Sequence, residues 1–305
     1  HLTDRMDYLS AHINNEAVCL TVEKALGIEV SDRVKVIRTI LSELTRIQSH
    51  QLFWATFGMD LGGLTCFFYG LRDREMILDI FEETCGGRMI VSYNCPGGLM
   101  NDIHPNFQKR TKEFIKYFRK TLPEYDRLLT GNVIFQERLR NIGTVTREQA
   151  IAWGLSGPVG RASGLSCDIR KHNPYSAYDR VTFNEIIYNE GDSFHRYKVR
   201  MDEMWESMNI IEQLIDNIPE GSWAEKMKPV IKLPEGEYWQ SVETARGELG
   251  VYIVSDGNKN PYRVRFRSPN FVHLAPLNLM SQGAKIADLV AINGSLDLII
   301  PDIDR

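Results

Sequence analysis

Five cysteines stand in the 305 residues, Cys19, Cys66, Cys85, Cys95 and Cys167, and no two are spaced as a CxxC pair. An odd, scattered set argues for free thiols against a disulfide framework. It also gives this chain alone no thiolate cluster for a zinc or iron–sulfur site. Long apolar runs are lacking too. The longest, IQSHQLFWATFGM, carries His50 and stops at Asp60. It is too short for a membrane span and reads as a helix buried in protein. No signal-peptide pattern opens the chain. Positive charge is not in excess: 36 Lys and Arg face 40 Asp and Glu, for a net −4 and a pI near 6.0. There is thus no electrostatic reason to expect nucleic acid or an anionic membrane surface as a partner. The glycine-rich stretch GLSGPVGRASG (154–164) has neither GxGxxG nor GxxxxGK[ST] spacing, so it reads as an irregular structural crossing.

What is present suits a folded chain with ample core. Hydrophobic residues make up 43% and charged residues 25%, enough for one large domain or two of ordinary size. The first two thirds carry helical spacing. Ile13, Ala17, Leu20 and Leu26 lead to Gly27, a good helix stop. Ser31 caps a second helix through Val34, Ile37, Leu41, Leu44 and Ile47 towards Trp54 and Phe57. A third helix is predicted over Leu71–Thr84, and a fourth from Phe107 to Leu122, broken or restarted by Pro123. Thr146 and Gln149 form a capping-box pattern. The clearest helix is capped by Asp192 or Ser193, with Tyr197, Met201, Met204, Met208, Ile211 and Ile215 on one face. That methionine stripe is expected as core. Two strands, Val251–Ser255 and Arg263–Arg267, complete a mainly α bundle with a small β appendage. Arg263, Arg265 and Arg267 share one face, expected as a solvated edge or a contact between subunits. No repeat or linker divides the chain, so 1–305 reads as one domain.

Three constellations have chemical potential: Arg5-Met-Asp7-Tyr8, the helix end Trp54-Ala-Thr56-Phe-Gly-Met59-Asp60, and the tail from Asp297 to Asp302, Asp304 and Arg305. A phenol donates and accepts hydrogen bonds while neutral. Asp60 follows a strongly apolar stretch, a setting for burial and a raised pKa. Composition and spacing equally allow Tyr8 as a core amphipath, Asp60 as a helix-end polar residue and solvated tail acids.

Taken in order, DRMDYLSAHINNEA, EVSDRVKVIRTILSELTRIQSH, MDLGGLT, GGRM, PGG, VYIVSDGNKNPYRV and a terminal DIDR resemble one family over essentially the whole chain. It is the D subunit, hydrogenase-like, of respiratory complex I, the proton-pumping NADH–quinone oxidoreductase. The resemblance implies the fold of the nickel–iron hydrogenase large subunit. It also implies that the thiolate positions of those enzymes fall here at about Asp7, Ser10, Ile299 and Asp302, none of them a cysteine. A metal-free cavity that receives a quinone headgroup is the expectation. Tyr8 would hydrogen-bond a quinone carbonyl. Asp60 would pair with a histidine of an N-terminal loop, and Thr56 and Met59 would line the chamber.

The resemblance further implies an iron–sulfur cluster in a neighbouring subunit, NAD and FMN in other subunits, and membrane-arm subunits as partners. The location implied is the cytoplasmic face of a bacterial inner membrane, or the mitochondrial matrix side in a eukaryote. The chain opens at His1 with its first feature almost at once, so an upstream portion bearing the histidine loop is expected. Three positions depart from the family pattern: Ile90 stands where histidine is frequent after Gly-x-Arg-Met, Cys95 where arginine precedes Pro-Gly-Gly, and GRASG where Arg-Gly-Ser-Gly is usual. An aliphatic Ile90 binds no proton, which points to a cluster potential with little pH dependence and to a low-potential quinone such as menaquinone. The rival readings are a metal-bearing hydrogenase-like subunit and a helical scaffold without chemistry.

Overall fold

The computed structural model describes residues 1–304; Arg305, the last residue of the DIDR tail, lies outside them. Helix α1, Ala11–Leu26, ends where expected. Gly27 takes a left-handed φ of 65° and turns its amide back to the Glu23 and Lys24 carbonyls. Helix α2, Asp32–Asp60, starts on the Ser31 hydroxyl, which accepts from the Val34 amide. Every residue from Val36 to Gln51 is buried, so α2 is enclosed on all sides and forms the axis of the molecule.

Helix α3, Leu64–Cys85, begins seven residues before the predicted Leu71. Its first turns show Leu64 and Phe68 to solvent, which hides the inward period from the sequence. Gly70 explains how α3 lies so close to α2. A Cβ there would stand 2.7 Å from the Ala55 Cβ and 2.9 Å from the Gln51 carbonyl oxygen. After the small ladder of β1 (Asn94–Cys95) and β2 (Gly98–Leu99), α4 runs from Phe107 to Tyr125. It passes through Pro123 without the predicted break. The amide that proline lacks falls in the last turn, and the chain then widens into a π turn at Asp126–Thr130.

Short helices follow: α5, Val133–Glu137, and α6, Arg147–Ala152, which opens on the predicted capping box of Thr146 and Gln149. The glycine-rich crossing, predicted irregular, winds into one helical turn, α7, Gly157–Arg161. Gly157 sits at φ 59°, and a Cβ on it would lie 2.6 Å from the Arg246 carbonyl oxygen. Gly157→Ala should therefore cost about 3 kcal/mol of stability, measurable as a lowered urea midpoint with unchanged slope.

Helix α8, Ile169–His172, precedes α9, Ser193–Ile215, capped by Asp192 through the His195 amide at 2.9 Å. Met201, Met204 and Met208 are core, as expected. The β appendage has three antiparallel strands, β3 (Gly236–Glu243), β4 (Glu248–Ser255) and β5 (Arg263–Arg267), in that order. The predicted hairpin is β4–β5, with β5 at the edge and Arg263, Arg265 and Arg267 opposite Val254, Tyr252 and Gly250. Helices α10 (Pro269–Leu274), α11 (Leu277–Met280), α12 (Ile286–Leu296) and α13 (Ile300–Ile303) close the described chain. Helix α2 packs between α3 and α9, and the sheet lies on α1. The architecture is mainly α with a small β appendage. No helix of the described residues is long and apolar enough to cross a membrane.

Candidate functional site

The turn bearing Tyr8 is held from below. Asp7 organises it: its carboxylate accepts from the Leu9 amide at 3.1 Å, and its carbonyl accepts from the Ser10 amide and the Asn14 side chain, each at 2.9 Å. The Leu9 carbonyl accepts from the Gln48 side-chain amide, which ties the turn to α2. Tyr8 itself is half-buried, and its hydroxyl makes no hydrogen bond among the described residues. The phenol is an uncommitted donor on a rigid support.

Asp60 is the last residue of α2 and is exposed, not buried as the preceding apolar run suggested. The helix emerges at that point beside the exposed Leu64 and Phe68, so the carboxylate meets solvent. Partial desolvation still raises its pKa above the usual carboxylate value. Thr56 is half-buried and spends its hydroxyl on the Leu52 carbonyl at 2.9 Å; Met59 is 38% exposed. Thr56, Met59 and Asp60 thus share one helix end. The Tyr8 turn is tied to α2 at Gln48, twelve residues before Asp60 closes that helix. Helix α2 links the two positions, and no hydrogen bond joins Tyr8 to Asp60 among the described residues. A cleft of about 540 Å³ runs along Trp239, Tyr252 and Phe271, away from these residues.

The N-terminal and C-terminal stretches that the resemblance equates with the hydrogenase thiolates converge on one guanidinium. Arg246, fully buried, donates to the Asp7 carboxylate at 2.9 Å, to the Asp297 carboxylate at 2.8 Å, to the Asp297 carbonyl at 2.7 Å and to the Ser49 hydroxyl at 2.9 Å. Asp302 is buried as well, accepting from Asn270 at 2.7 Å and from the Ser268 hydroxyl. The solvated reading of these two tail acids is therefore wrong. Asp297 lies against the β3–β4 turn and Asp302 against α10, and burial raises the pKa of each. Among the described residues no three His, Cys, Asp or Glu side chains converge in a metal-holding geometry.

Sequence reasoning missed the largest polar feature, a buried charge network where α2, α7, α8, α9 and β3 meet. Arg161 donates to Glu243 at 2.7 Å and to Glu203; Arg170 reaches Asp168 at 2.6 Å and Glu43 at 3.1 Å. Arg46 donates to the Thr244 and Glu243 carbonyls, both at 2.7 Å. His50 meets Glu203 at 2.9 Å, and burial drives its pKa down to about 4, so the ring is neutral. The signal available was charge at inward helical positions: Glu43, Arg46 and His50 fall on the buried run of α2.

The sequence model of the family described as respiratory-chain NADH dehydrogenase, 49 Kd subunit, matches residues 60–232 and 225–305. The chain belongs to that family. It is 59% identical over 304 residues to the C/D subunit of the NADH-quinone oxidoreductase of Bacteroides thetaiotaomicron, covering all of this chain and 57% of that protein. It is 47% identical over 302 residues to the D subunit of the Desulfotalea psychrophila enzyme, covering 99% of this chain and 81% of that one. One of the D subunits of Opitutus terrae, the one numbered 2, is 48% identical over 304 residues, with 99% and 76% covered. The chain thus spans little more than half the length of the C/D relatives it matches and about four fifths of the D subunits.

Proposed function

We propose that this chain, as one hydrogenase-like domain, forms part of the quinone-reduction chamber of an NADH–quinone oxidoreductase. Tyr8, Thr56, Met59 and Asp60 are its contribution. The observation that carries the reading is the uncommitted Tyr8 hydroxyl on a turn fixed by the Asp7 carboxylate, the Asp7 carbonyl and the Leu9 carbonyl. Reducing a quinone places negative charge on two oxygens, and a positioned neutral donor lowers the cost of that charge. Asp60 lies at the open end of α2, where a histidine from a loop upstream of His1 would meet it and complete a proton-donating pair.

The exposed Met59, Leu64 and Phe68 around that end suit a chamber closed by partner subunits rather than by this chain. Those partners are the subunit that carries the terminal iron–sulfur cluster, which supplies the electrons, and the membrane-arm subunits. NAD and FMN are bound elsewhere in the complex. The proposed position is peripheral, on the cytoplasmic face of a bacterial inner membrane.

Tyr8→Phe tests this. The assembled complex is expected to lose about 100-fold in NADH–quinone turnover, while NADH–ferricyanide electron transfer, which stops upstream, persists. Near-normal quinone turnover would favour a scaffold role. Nickel in the purified complex would favour the hydrogenase-like rival.

A second test concerns Ile90, which is 38% exposed on the loop after α3 and open to a partner. With no titratable side chain there, the terminal cluster potential should vary little between pH 6 and pH 8. Ile90→His should introduce a slope approaching about 59 mV per pH unit where the imidazole titrates, the value for one proton per electron. A redox titration of the complex monitored by electron paramagnetic resonance reads both. A steep slope in the wild type would remove this reading of Ile90 and weaken the assignment of menaquinone as the acceptor.

A further inference from the structure

Arg74 is a buried arginine beside the Tyr8 turn, and, unlike Arg246, it has no carboxylate bonded to it. It lies on α3, is 6% exposed, and makes no ion pair among the described residues. Its Nε donates to the Gln48 Oε1 at 2.7 Å, while its Nη2 is buried without any hydrogen-bond partner. The carboxylates beside it in sequence are already committed. Asp73 accepts from Arg72 at 2.7 Å, from Tyr117 at 2.7 Å and from Tyr125 at 2.9 Å. Glu75 pairs with Arg88, which also holds Asp79 and Glu82 at 2.9 Å. A guanidinium withdrawn from water without a bonded anion is costly, and the Arg74 Nη2, which has no acceptor in this chain, is left to meet a negative charge from outside it.

Gln48 shows where that charge would arrive. Its amide is shared: Nε2 donates to the Leu9 carbonyl, next to Tyr8, and Oε1 holds Arg74. One side chain of α2 therefore fixes both the Tyr8 turn and the Arg74 fork, and sets an unpartnered cationic donor beside an unpartnered phenol. Burial lowers the Arg74 pKa more than the more distant Glu75 charge restores it, and a charge on Tyr8 would raise it, as expected for neighbours.

We infer that Arg74 is a second hydrogen-bond donor of the Tyr8 site, a cation that meets the substrate oxygen on which negative charge develops. This deepens the quinone reading and rests on it. Two electrons come from the partner's iron–sulfur cluster and two protons from water and the site's acid groups; the carbonyl oxygens become hydroxyls, with no bond to the protein formed. Arg74 acts between electron arrival and protonation, when the oxygen is anionic. Its contribution is larger in that state than with the neutral quinone, so its loss should appear in kcat more than in KM.

The experiment uses the whole membrane-bound complex, with NADH as donor and 2,3-dimethyl-1,4-naphthoquinone as acceptor. Arg74→Gln is expected to lower kcat about 100-fold and to change KM less than about threefold, with NADH–ferricyanide activity retained. Arg74→Lys keeps the charge without the fork and should recover about tenfold of that loss. Quinone turnover of Arg74→Gln within about threefold of wild type would overturn the inference. A complex that lacks the cluster-bearing or membrane subunits would also do so, since Arg74 would then meet a partner's carboxylate. Should Arg74→Gln fail to fold, an assembled Arg74→Lys complex with undiminished kcat overturns it equally. Tyr8→Phe keeps the two ideas apart. Normal turnover there removes the quinone reading itself, whereas a crippled Tyr8→Phe beside a normal Arg74→Gln removes only Arg74.

Discussion

Arg161→Met is expected to destabilise the chain by about 4 kcal/mol, because it breaks a buried ion cluster from one side. Three arginines, Arg46, Arg161 and Arg170, face four carboxylates, Glu43, Asp168, Glu203 and Glu243, all buried. Removing Arg161 leaves Glu203 with neutral His50 as its closest partner and Glu243 with no guanidinium on its carboxylate. The sign of the pH dependence follows. In the wild type, Arg170 and Arg161 hold Asp168 down to about 2 and Arg161 holds Glu203 well below its usual value. Their stabilisation is present above the ordinary carboxylate range and is lost as pH falls through the depressed values. Glu243 runs the other way: burial raises it to about 7, so stability declines as pH rises from about 4.5 to 7. Without Arg161 all three shift upward, so the deficit of the variant should be largest near pH 8 and shrink towards pH 5. Urea unfolding followed by the fluorescence of Trp54, stacked on Tyr125 with centroids 3.8 Å apart, measures it. Adding Glu243→Gln should return part of the loss, since an unpaired charge is removed. A pH-independent deficit below about 1 kcal/mol would mean that the cluster contributes only packing.

Much of the fold was legible because local chemistry and tertiary packing agree. Ser31, Gly27, Thr146 and Asp192 stop or start helices by hydrogen bonds that the backbone needs wherever the helix packs. The misses fall where tertiary contact overrides the local pattern. The first turns of α3 point apolar side chains outward, so no inward period marks them. GLSGPVGRASG lacks any periodicity, yet a helical turn forms because Gly157 fits against the backbone of Gly247. Strand β3 carries Trp239 and Tyr238 among exposed positions and gains its identity only from pairing with β4.

The candidate site was legible in part. The family resemblance picked out Tyr8, and the structure gives that residue a distinctive state, a fixed backbone under a free hydroxyl. It picked out Asp60, which the structure leaves open to solvent at the end of α2. Neither reading could anticipate Arg74, whose significance lies in what does not bond to it. Spacing does not reveal a missing counter-ion. The same holds for Arg246, which is distant in sequence from Asp7 and Asp297 and becomes intelligible only when the two chain ends meet.

Arg246→Met is the second large effect expected, about 3–5 kcal/mol, and it separates structure from chemistry more sharply than Arg161→Met. The guanidinium joins the Tyr8 turn to the C-terminal stretch through Asp7 and Asp297 and to α2 through Ser49. Methionine fills similar volume and removes the charge, which leaves two carboxylates facing each other in a buried space. Asp297, already raised by burial, should rise further and take up a proton in the folded variant. A raised carboxyl favours folding only while protonated, so the variant should regain stability as pH falls from 8 towards 5. Asp297→Asn in the same background removes one charge permanently and should recover stability at pH 8 without that slope. If this meeting point of the two chain ends is a salt-bridged clamp for the Tyr8 turn, the double variant folds at neutral pH but holds Tyr8 loosely. Its quinone turnover should then stay low when its thermal unfolding has returned. Recovery of turnover together with stability would show that Arg246 holds the fold and leaves the position of Tyr8 to Gln48 alone.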